Sequence, residues 1–179
     1  MPRTHAYVSL GSNLGDRAGN LLLAVRGMLD AGLCVSRLSS VYETEPVGVT
    51  TAQPLFLNMV AELAPDALPP PEQLLARLLR IEYALGRRRP APLAPRTVDL
   101  DLLVYGDVQS DTEFLKLPHP RLHLRRFVLA PLAELAPDAL HATLGKSFAE
   151  LLSELSDASV VRRWPPTDAH GETRAVENF

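Results

Sequence analysis

The spacing of apolar residues along the chain predicts an alternation of strands and helices. Short apolar runs bounded by turn signals predict strands near residues 6–10, 35–42, 55–63 and 98–104. Apolar residues three and four positions apart predict helices after Asp16, from Pro71, near 128–136 and near 148–155. Gly106-Asp107 predicts a hairpin turn, followed by a short strand near 108–109.

The order of these elements predicts an α+β fold. Strand, helix, strand, strand, helix, strand is the order of a ferredoxin-like core, in which helices flank a mainly antiparallel sheet. A hairpin and C-terminal helices are added to that core. We expect a single domain over residues 1–163. We also expect a disordered tail over residues 164–179, because that segment is polar and contains prolines.

The first two helices carry predicted buried stripes. Asp16 is the expected N-cap of the first helix, whose stripe contains Leu21, Leu22, Val25, Met28 and Leu29. Pro71 suits the first turn of the second helix, and Gly86 suits its end. The stripe of the second helix contains Leu74, Leu75, Leu78, Ile81 and Leu85.

Composition limits the classes of protein to which the chain can belong. Of its 179 residues, 46% are hydrophobic, which is enough for a sizeable core and too many for a disordered chain. The net charge of −3 gives no general basic field for nucleic acid. The chain lacks a secretory signal pattern and has no apolar run of the ~18 residues needed to span a membrane. We therefore expect a cytoplasmic protein without membrane or nucleic-acid partners.

The only cysteine is Cys34, so an intrachain disulfide is excluded. Leu33 and Val35 beside it are apolar. We therefore expect Cys34 to be a small buried residue and not a nucleophile.

Residues 98–104 predict two carboxylates on one face of a strand. Aliphatic residues at 98, 100, 102 and 104 alternate with Asp99 and Asp101, and side chains alternate between the two faces of a strand. The Cα atoms of the two aspartates should lie about 6–7 Å apart, which is two rises of a strand. Paired carboxylates suit hard cations such as Mg²⁺. The alternative is a solvated strand face, and the strongly apolar neighbours weigh against it.

Arginines near this strand suggest a ligand that carries phosphate. Only Lys116 and Lys146 are lysines among 18 basic residues, and the planar guanidinium of arginine suits phosphate. A composition bias explains the excess of arginine equally well. The arginines closest in sequence are Arg87, Arg88, Arg89, Arg96, Arg121, Arg125 and Arg126.

A P-loop is not available to hold such a phosphate. Gly145-Lys146-Ser147 matches the end of that motif, but Leu140 stands where its first glycine is required. Mg²⁺ and arginines are therefore the expected phosphate-binding groups. His119 is a further candidate to donate a hydrogen bond to phosphate, with a packed or exposed imidazole as the alternative.

A second group of residues suggests a flat ligand. Phe56 and Asn58 share a face of the third strand, and Phe127 follows the arginines. Two aromatic rings with an amide nearby can enclose a heteroaromatic ring and hydrogen-bond its polar edge. Taken alone, Phe56 and Phe127 are more typical of core residues.

Several segments together resemble one family, the hydroxymethyl-dihydropterin pyrophosphokinases of folate biosynthesis. The matching segments lie within residues 5–155, in the family's order and spacing. They are Leu10-Gly11-Ser12-Asn13-Leu14-Gly15-Asp16, Tyr42-Glu43-Thr44-Glu45-Pro46-Val47-Gly48, Gln53-Pro54-Leu55-Phe56-Leu57-Asn58, Gly86-Arg87, Pro95-Arg96-Thr97-Val98-Asp99-Leu100-Asp101 and Pro118-His119-Pro120-Arg121. A single segment would be weak support, but the ordered set is highly specific.

The resemblance implies transfer of the β,γ-pyrophosphoryl group of MgATP to the hydroxymethyl oxygen of the pterin, with release of AMP. It implies that Asp99 and Asp101 hold two Mg²⁺ ions and act in catalysis with Arg87 and Arg96. The implied pterin-binding residues are Thr44, Glu45, Val47, Phe56, Asn58 and Phe127. The implied ATP-binding residues are Glu82, Arg87, Arg89, Arg96, Leu102, Lys116, His119 and Arg125.

The chain departs from the family pattern before the aspartate strand. Many members have an arginine and a tryptophan followed by Gly-Pro-Arg, where this chain has Pro92, Leu93 and Ala94. Some relatives have an ATP-binding arginine at the position of Phe114, and Lys116 is the expected partial substitute. These departures predict a loop that closes over ATP differently or more weakly.

Two other functions remain open from the sequence. An Asp-x-Asp pair also holds the metal of nucleotide-sugar transferases, although the short chain and the order of strands weigh against that class. A pterin-binding module without turnover is the other alternative, and the presence of both aspartates weighs against it. In each case we expect small-molecule partners and a monomer, with a dimer as the alternative state.

Overall fold

The structure, a computed structural model, describes residues 5–48, 52–65, 68–87 and 94–165. Its strands are β1 Ala6–Ser12, β2 Val35–Leu38, β3 Val41–Thr44, β4 Phe56–Leu63, β5 Asp99–Tyr105, β6 Ser110–Asp111, β7 Lys116–Leu117 and β8 Val161–Trp164. Its α-helices are α1 Arg17–Asp30, α2 Pro71–Ala84, α3 Arg126–Leu135 and α4 Phe148–Glu154. A 3₁₀ turn at Leu122–Leu124 precedes α3.

The main sheet is antiparallel and has the ferredoxin-like order of strands. Its order is β5-β1-β4-β3-β8, and β2 also pairs with β4. The chain thus passes through strand, helix, three strands, helix and strand before β6, with β2 and β3 in the place of one predicted strand, and the predicted α+β fold is confirmed. In the part of the chain that the structure describes, no helix is long and apolar enough to cross a membrane.

Helices cover both faces of the sheet, and each layer has its own core. Ala6, Val8 and Leu10 of β1 pack in the first core with α1 and α2. Tyr7, between them, packs in the second core with α3 and α4. This alternation follows from the two-residue period of a strand. A sheet buried on both faces explains why its strands are so apolar.

The strands depart most from their predicted boundaries at three places. The single strand predicted over 35–42 is divided into β2 and β3, because the Ser39 hydroxyl accepts the hydrogen bond from Val60 N at 2.9 Å and interrupts the ladder. The predicted strand near 108–109 lies at Ser110–Asp111 and pairs with β7. Trp164 ends β8, so the strand extends one residue past the predicted domain boundary, and residues 166–179 of the predicted tail lie outside the described residues.

The buried stripe of α1 is narrower than predicted. Leu21, Ala24 and Met28 are buried, whereas Leu22 and Leu29 are 69% and 50% exposed. A helix turns about 100° per residue, so positions next to the central line of the stripe rotate out of the contact. One of the three buried positions is occupied by the small residue Ala24. In α2 the predicted Leu74, Leu78 and Ile81 are buried, and so is Glu82.

Two further predictions about burial are wrong. Cys34 is exposed, because Leu33 takes the buried position at the entrance to β2. Val104 does not share a core with Leu100 and Leu102. The register of β1 against β5 shifts between Tyr7–Val104 and Val8–Leu102, so Leu103 is an extra residue in β5 and Val104 joins the second core.

Candidate active site

Asp99 and Asp101 lie on the α3 side of the sheet, where the alternation of β5 places them. Asp99 is opposite Gly11 of β1, and Asp101 is opposite Ser9. Leu100 and Leu102 point into the first core instead. The predicted shared face of the two carboxylates is therefore found.

Gly11 connects this carboxylate face to β4. It pairs with Asp99 on one side and with Asn58 on the other, so the three residues form one rung across the sheet. A Cβ atom on Gly11 would lie 2.8 Å from Asn58 Oδ1 and 3.7 Å from the Phe56 ring. The Asn58 side chain would have to shift to make room for this Cβ atom, whereas the Phe56 ring lies at an ordinary contact distance. The sequence predicts a strand near residues 6–10, whereas β1 continues to Ser12 and so brings Gly11 into the floor of the site.

Two arginines neutralise Asp99. Arg87 Nη1 lies 2.5 Å from Asp99 Oδ1, and Arg96 Nη1 lies 2.6 Å from Asp99 Oδ2. The two guanidinium side chains are only 10% and 19% exposed. These pairs are therefore shielded from water and stronger than exposed ion pairs.

Glu82 of α2 contacts Arg87 and holds it in place. Its carboxylate contacts Arg87 Nη1, and its Oε1 accepts a hydrogen bond from Leu100 N at 2.7 Å. Glu82 is 3% exposed, so the charge depends on these donors for compensation. Glu82, which the resemblance places at the ATP site, thus joins the end of α2 to the aspartate strand.

Asp101 has an unusual protonation equilibrium. Its burial and the repulsion from Asp99 raise the pKa of the Asp101 carboxyl to about 6, although Arg125, Arg87 and Arg96 act in the opposite direction. A cation between the carboxylates would relieve this repulsion. The charge pattern therefore favours a bound cation at this face.

His119 lies next to the same charges. Its backbone N donates to Leu103 O at 2.7 Å, which ties the segment after β7 to β5. Burial, together with Arg125 and Arg121, lowers the pKa of the His119 imidazole to about 4. Its Nδ1 accepts from Arg121 N at 3.2 Å, so the neutral ring carries its proton on Nε2 and can donate to an anion.

Arg125 links the anionic face to an aromatic ring. Its guanidinium carbon lies 5.4 Å from the Phe127 ring centroid, and its charge acts on both Asp99 and Asp101. Burial and the neighbouring Arg121 lower the pKa of Arg125. Phe127 is partly buried against the second core, so its ring is held at the edge of the site.

A polar pair and a second ring lie on β3 and β4. Asn58 Nδ2 donates to the Thr44 hydroxyl at 2.7 Å, and the two residues are 5% and 3% exposed. The Phe56 ring centroid lies 5.7 Å from the guanidinium carbon of Arg96, within range of a cation–π contact. Arg96 therefore contacts both the carboxylate pair and the aromatic side of the site.

Asn13 is a residue to which the sequence assigned no role. Its Oδ1 accepts from Arg96 N at 2.8 Å, and its own N donates to Arg96 O at 3.2 Å. Its Nδ2 donates to Gln53 Oε1 at 3.2 Å and to Pro54 O at 3.4 Å. Asn13 is 1% exposed and joins the segment after β1 to the loops before β4 and β5. Its only signal in the sequence is its place within the matching segment 10–16.

Other predicted residues lie apart from this cluster. Lys116 is exposed on the β6–β7 hairpin, and its ammonium contacts Asp111 at 2.5 Å. The Leu102 side chain is in the first core, so a nucleotide could contact this residue only through its backbone. Glu45 and Val47 are exposed in the loop after β3, and Arg89, with Pro92 and Leu93, lies outside the described residues.

Comparison with known proteins identifies the family. Residues 7–137 match the model of the family described as 7,8-dihydro-6-hydroxymethylpterin-pyrophosphokinase (HPPK). The chain belongs to the HPPK family. It is accordingly a pyrophosphokinase of folate biosynthesis, an ATP-dependent diphosphotransferase. The sheet order and the family match together leave no support for a nucleotide-sugar transferase.

Two curated bacterial relatives carry the name 2-amino-4-hydroxy-6-hydroxymethyldihydropteridine pyrophosphokinase. The Bacillus subtilis protein is 46% identical over 131 residues, which are 73% of this chain and 77% of that protein. The Methylorubrum extorquens protein is 42% identical over 160 residues, which are 89% of this chain and 98% of that protein. The resemblance inferred from ordered motifs is thus confirmed over most of the chain.

Solved HPPK structures share the fold. A crystal structure of an HPPK-DHPS in complex with substrates has a TM-score of 0.66 at 13% identity, over 86% of this chain and 43% of that one. The Plasmodium falciparum HPPK-DHPS with pteroate has a TM-score of 0.64 at 15% identity, over 84% and 42%. This chain spans less than half of those longer chains. At such low identity the likeness establishes the fold alone.

The residues at this HPPK site suit a hard cation. Carboxylate oxygens are the ligands that Mg²⁺ prefers, and Asp99 and Asp101 supply them on a rigid strand. Within the described ranges, no cluster of three or more His, Cys, Asp or Glu residues could hold a metal ion without help. Two carboxylates with open positions are typical of Mg²⁺ held jointly by protein and substrate phosphates.

Proposed function

We propose that the protein transfers pyrophosphate from MgATP to the hydroxymethyl group of 6-hydroxymethyl-7,8-dihydropterin and releases AMP. The observation that carries this proposal is the rung formed by Asp99, Gly11 and Asn58. It sets phosphate-binding chemistry on one side of β1 and a polar pair suited to a pterin on the other. Each side matches the chemistry of one substrate.

The reaction is an in-line displacement at the β-phosphorus. The hydroxymethyl oxygen forms a bond to the β-phosphorus and releases its proton to the solvent. The bond between that phosphorus and the α,β-bridging oxygen breaks, and AMP leaves with the electron pair. Positioning and charge stabilisation supply the catalysis, so no residue needs to form a covalent intermediate.

The two arginines that pair with Asp99 are placed to bind the phosphates of ATP in its stead. In the structure Arg87 and Arg96 occupy the two oxygens of Asp99. The phosphates of ATP offer these guanidinium groups stronger anions in a bidentate geometry. Asp99 would then be free to hold Mg²⁺ together with Asp101, and the arginines would stabilise charge on the bridging oxygen.

When bound at Asp99 and Asp101, two Mg²⁺ ions would neutralise phosphate charge and align the donor. Asp101 must be ionised for this role, which its raised pKa makes dependent on pH. His119 donates from Nε2 to a phosphate oxygen without carrying charge, since its pKa is about 4. Arg125, beside both carboxylates, adds a positive charge.

The pterin would lie between Phe56 and Phe127. Asn58 and the Thr44 hydroxyl, already joined at 2.7 Å, would hydrogen-bond its polar edge. Glu45 and Val47 in the loop after β3 would complete the pterin site through the backbone. Aromatic stacking favours a flat bicyclic ring over a sugar at this place.

We further propose a monomeric, cytoplasmic enzyme that consists of one domain up to residue 163. Its partners would be its two small-molecule substrates. Arg89 and Lys116 would add positive charge around ATP. The Pro92-Leu93-Ala94 sequence predicts weaker closure over ATP than in relatives with tryptophan and glycine there.

The proposed reaction is tested by measuring AMP formation from ATP and Mg²⁺ with and without the pterin alcohol. We expect AMP only when both substrates are present. Asp99→Ala should lower the rate by a factor on the order of 10³. Asp107→Ala, on the exposed turn after the same strand, is the matched control and should retain full activity.

Pterin binding without AMP formation would identify the non-catalytic module and refute the proposal. Near-normal AMP formation by Asp99→Ala would refute the assignment of the metal to the carboxylate pair. Circular dichroism of each variant would establish that the fold is kept.

A further inference from the structure

Arg17, the first residue of α1, bridges the two ends of the hairpin formed by β3 and β4. Its Nη1 lies 2.9 Å from Glu43 Oε1 and 2.9 Å from the carbonyl oxygen of Leu55. The Arg17 and Glu43 side chains are only 27% and 30% exposed. One guanidinium nitrogen thus holds the last part of β3 and the residue that precedes β4.

These two contacts border the residues that would bind the pterin. Thr44 follows Glu43, and Phe56 follows Leu55. Thr44 and Phe56 are opposite each other in the last pair of the β3–β4 ladder. The Thr44 hydroxyl in turn accepts the hydrogen bond from Asn58. The bridge therefore holds the end of the β3–β4 ladder that borders the proposed pterin site.

Arg17 acts from the opposite face of the sheet. Glu43 pairs with Leu57, which belongs to the first core beneath α1 and α2. Thr44, Phe56 and Asn58 alternate with these residues and so belong to the other face. The sheet therefore separates Arg17 from the proposed pterin site. Any effect of Arg17 on pterin binding must act through the β3–β4 hairpin.

We propose that Arg17 is a positioning residue for the pterin, acting as a brace that holds Thr44 and Phe56 in place through their neighbours Glu43 and Leu55. This inference rests on the proposed function and deepens it. The brace holds Thr44 and Phe56 in their binding positions before the substrate arrives, which lowers the conformational entropy that these residues lose on binding. It should therefore affect the binding of the pterin and leave the binding of ATP unchanged.

A bland explanation is that Arg17 and Glu43 form a partly exposed ion pair with little effect. Such pairs change stability only slightly. The contact with the Leu55 carbonyl distinguishes Arg17 from an ordinary surface pair, because it also fixes the backbone. Arg26 on the same helix supplies the comparison: its 2.8 Å pair with Asp30 joins two exposed side chains within α1.

The test compares Arg17→Met with Arg26→Met in steady-state assays that vary both substrates. We expect Arg17→Met to raise the KM for the pterin about tenfold, the loss of roughly one charged hydrogen bond. Its KM for ATP and its kcat should stay within about twofold of the wild-type values. Arg26→Met should change none of these constants. Arg17→Lys should restore part of the loss, because an ammonium can reach one of the two acceptors.

Equal changes in the two KM values, or none in Arg17→Met, would overturn the brace. Direct binding of the pterin alcohol, followed by its own fluorescence, separates this result from failure of the proposed reaction. A wild-type protein that bound the pterin but made no AMP would refute the reaction only. The ratio of the pterin Kd values of Arg17→Met and wild type would still test Arg17, and a ratio of one would refute its role.

Discussion

Glu82 Oε1 accepts a hydrogen bond from the backbone N of Leu100 at 2.7 Å, so a buried carboxylate of α2 is attached to the strand that carries both aspartates. The same carboxylate contacts Arg87, which in turn holds Asp99. The end of α2 and the proposed metal site are therefore one connected unit. A change at Glu82 should reach the phosphates through Arg87.

Glu82→Gln tests that connection. The amide oxygen can still accept from Leu100 N, but the charge that compensates Arg87 is lost. We expect the free energy of unfolding to fall by about 1–3 kcal/mol and the KM for ATP to rise. Urea denaturation and kinetics with varied ATP measure the two effects. An unchanged KM for ATP would show that Arg87 does not need Glu82 for its position.

The raised pKa of Asp101 predicts that the free energy of unfolding of the metal-free protein depends on pH. Its pKa is raised from 3.8 to about 6 in the folded protein, so the folded state binds its proton more tightly than the unfolded state. Asp101 is therefore neutral in both states at low pH and destabilises the fold as pH rises from about 4 to 6. Asp101→Asn should stabilise the protein at pH 7.5 by on the order of 1–3 kcal/mol.

Unfolding of wild type and Asp101→Asn in EDTA at pH 4 and pH 7.5 measures this difference. The same variant should lose turnover, since an amide holds Mg²⁺ poorly. Binding of Mg²⁺ by the wild type should strengthen between pH 5 and 7 as Asp101 ionises. Equal stabilisation by Asp101→Asn at both pH values would contradict the raised pKa.

We expect substitutions of Asn13 to affect the KM values of both substrates, and two different substitutions should separate the two effects. Asn13→Ala removes the contacts with Arg96 N and with the Gln53-Pro54 segment, and should raise both KM values several-fold. Asn13→Asp keeps an acceptor for Arg96 N and loses both donors. It should therefore raise the KM for the pterin more than the KM for ATP. Equal effects of Asn13→Asp on the two constants would be inconsistent with separate contacts.

We expect His119 to leave no titration near neutral pH in the pH profile of kcat/KM. Its pKa of about 4 keeps the ring neutral above pH 5. The kcat/KM for ATP of the wild type should therefore show no titration of His119 near pH 6.5, and its profile should have the same shape as that of His119→Gln. His119→Gln keeps a donor and should retain more activity than His119→Ala. We expect His119→Ala to raise the KM for ATP about tenfold. Profiles of all three proteins between pH 5 and 9 test this.

The parts of the site that follow from local periodicity could be predicted from the sequence. Asp99 and Asp101 share a face because β5 alternates regularly before its bulge, and Asp16 caps α1 through Gly19 N as expected. The order of elements was sufficient for the ferredoxin-like core. The family resemblance added residue roles that spacing alone could not supply.

Features that depend on distant segments could not be predicted in this way. Asn13 becomes a connection only when residues 53–54 and 96 reach it, and Arg17 becomes a brace only when α1 packs behind the hairpin. The exposure of Leu22 depends on which residues of α1 face the sheet in the folded protein. Local pattern does not carry this information, because each case is decided by tertiary packing.

The glycine between Asp99 and Asn58 has one more consequence. Because β1 alone separates β5 from β4, the backbones of Asp99 and Asn58 lie two hydrogen-bonded strand spacings apart, about 10 Å in total. Backbone pairing sets this width, and side-chain substitutions cannot widen it. On the proposed assignment of the two substrates, the sheet would set the distance between the carboxylate that binds the metal and the amide that binds the pterin.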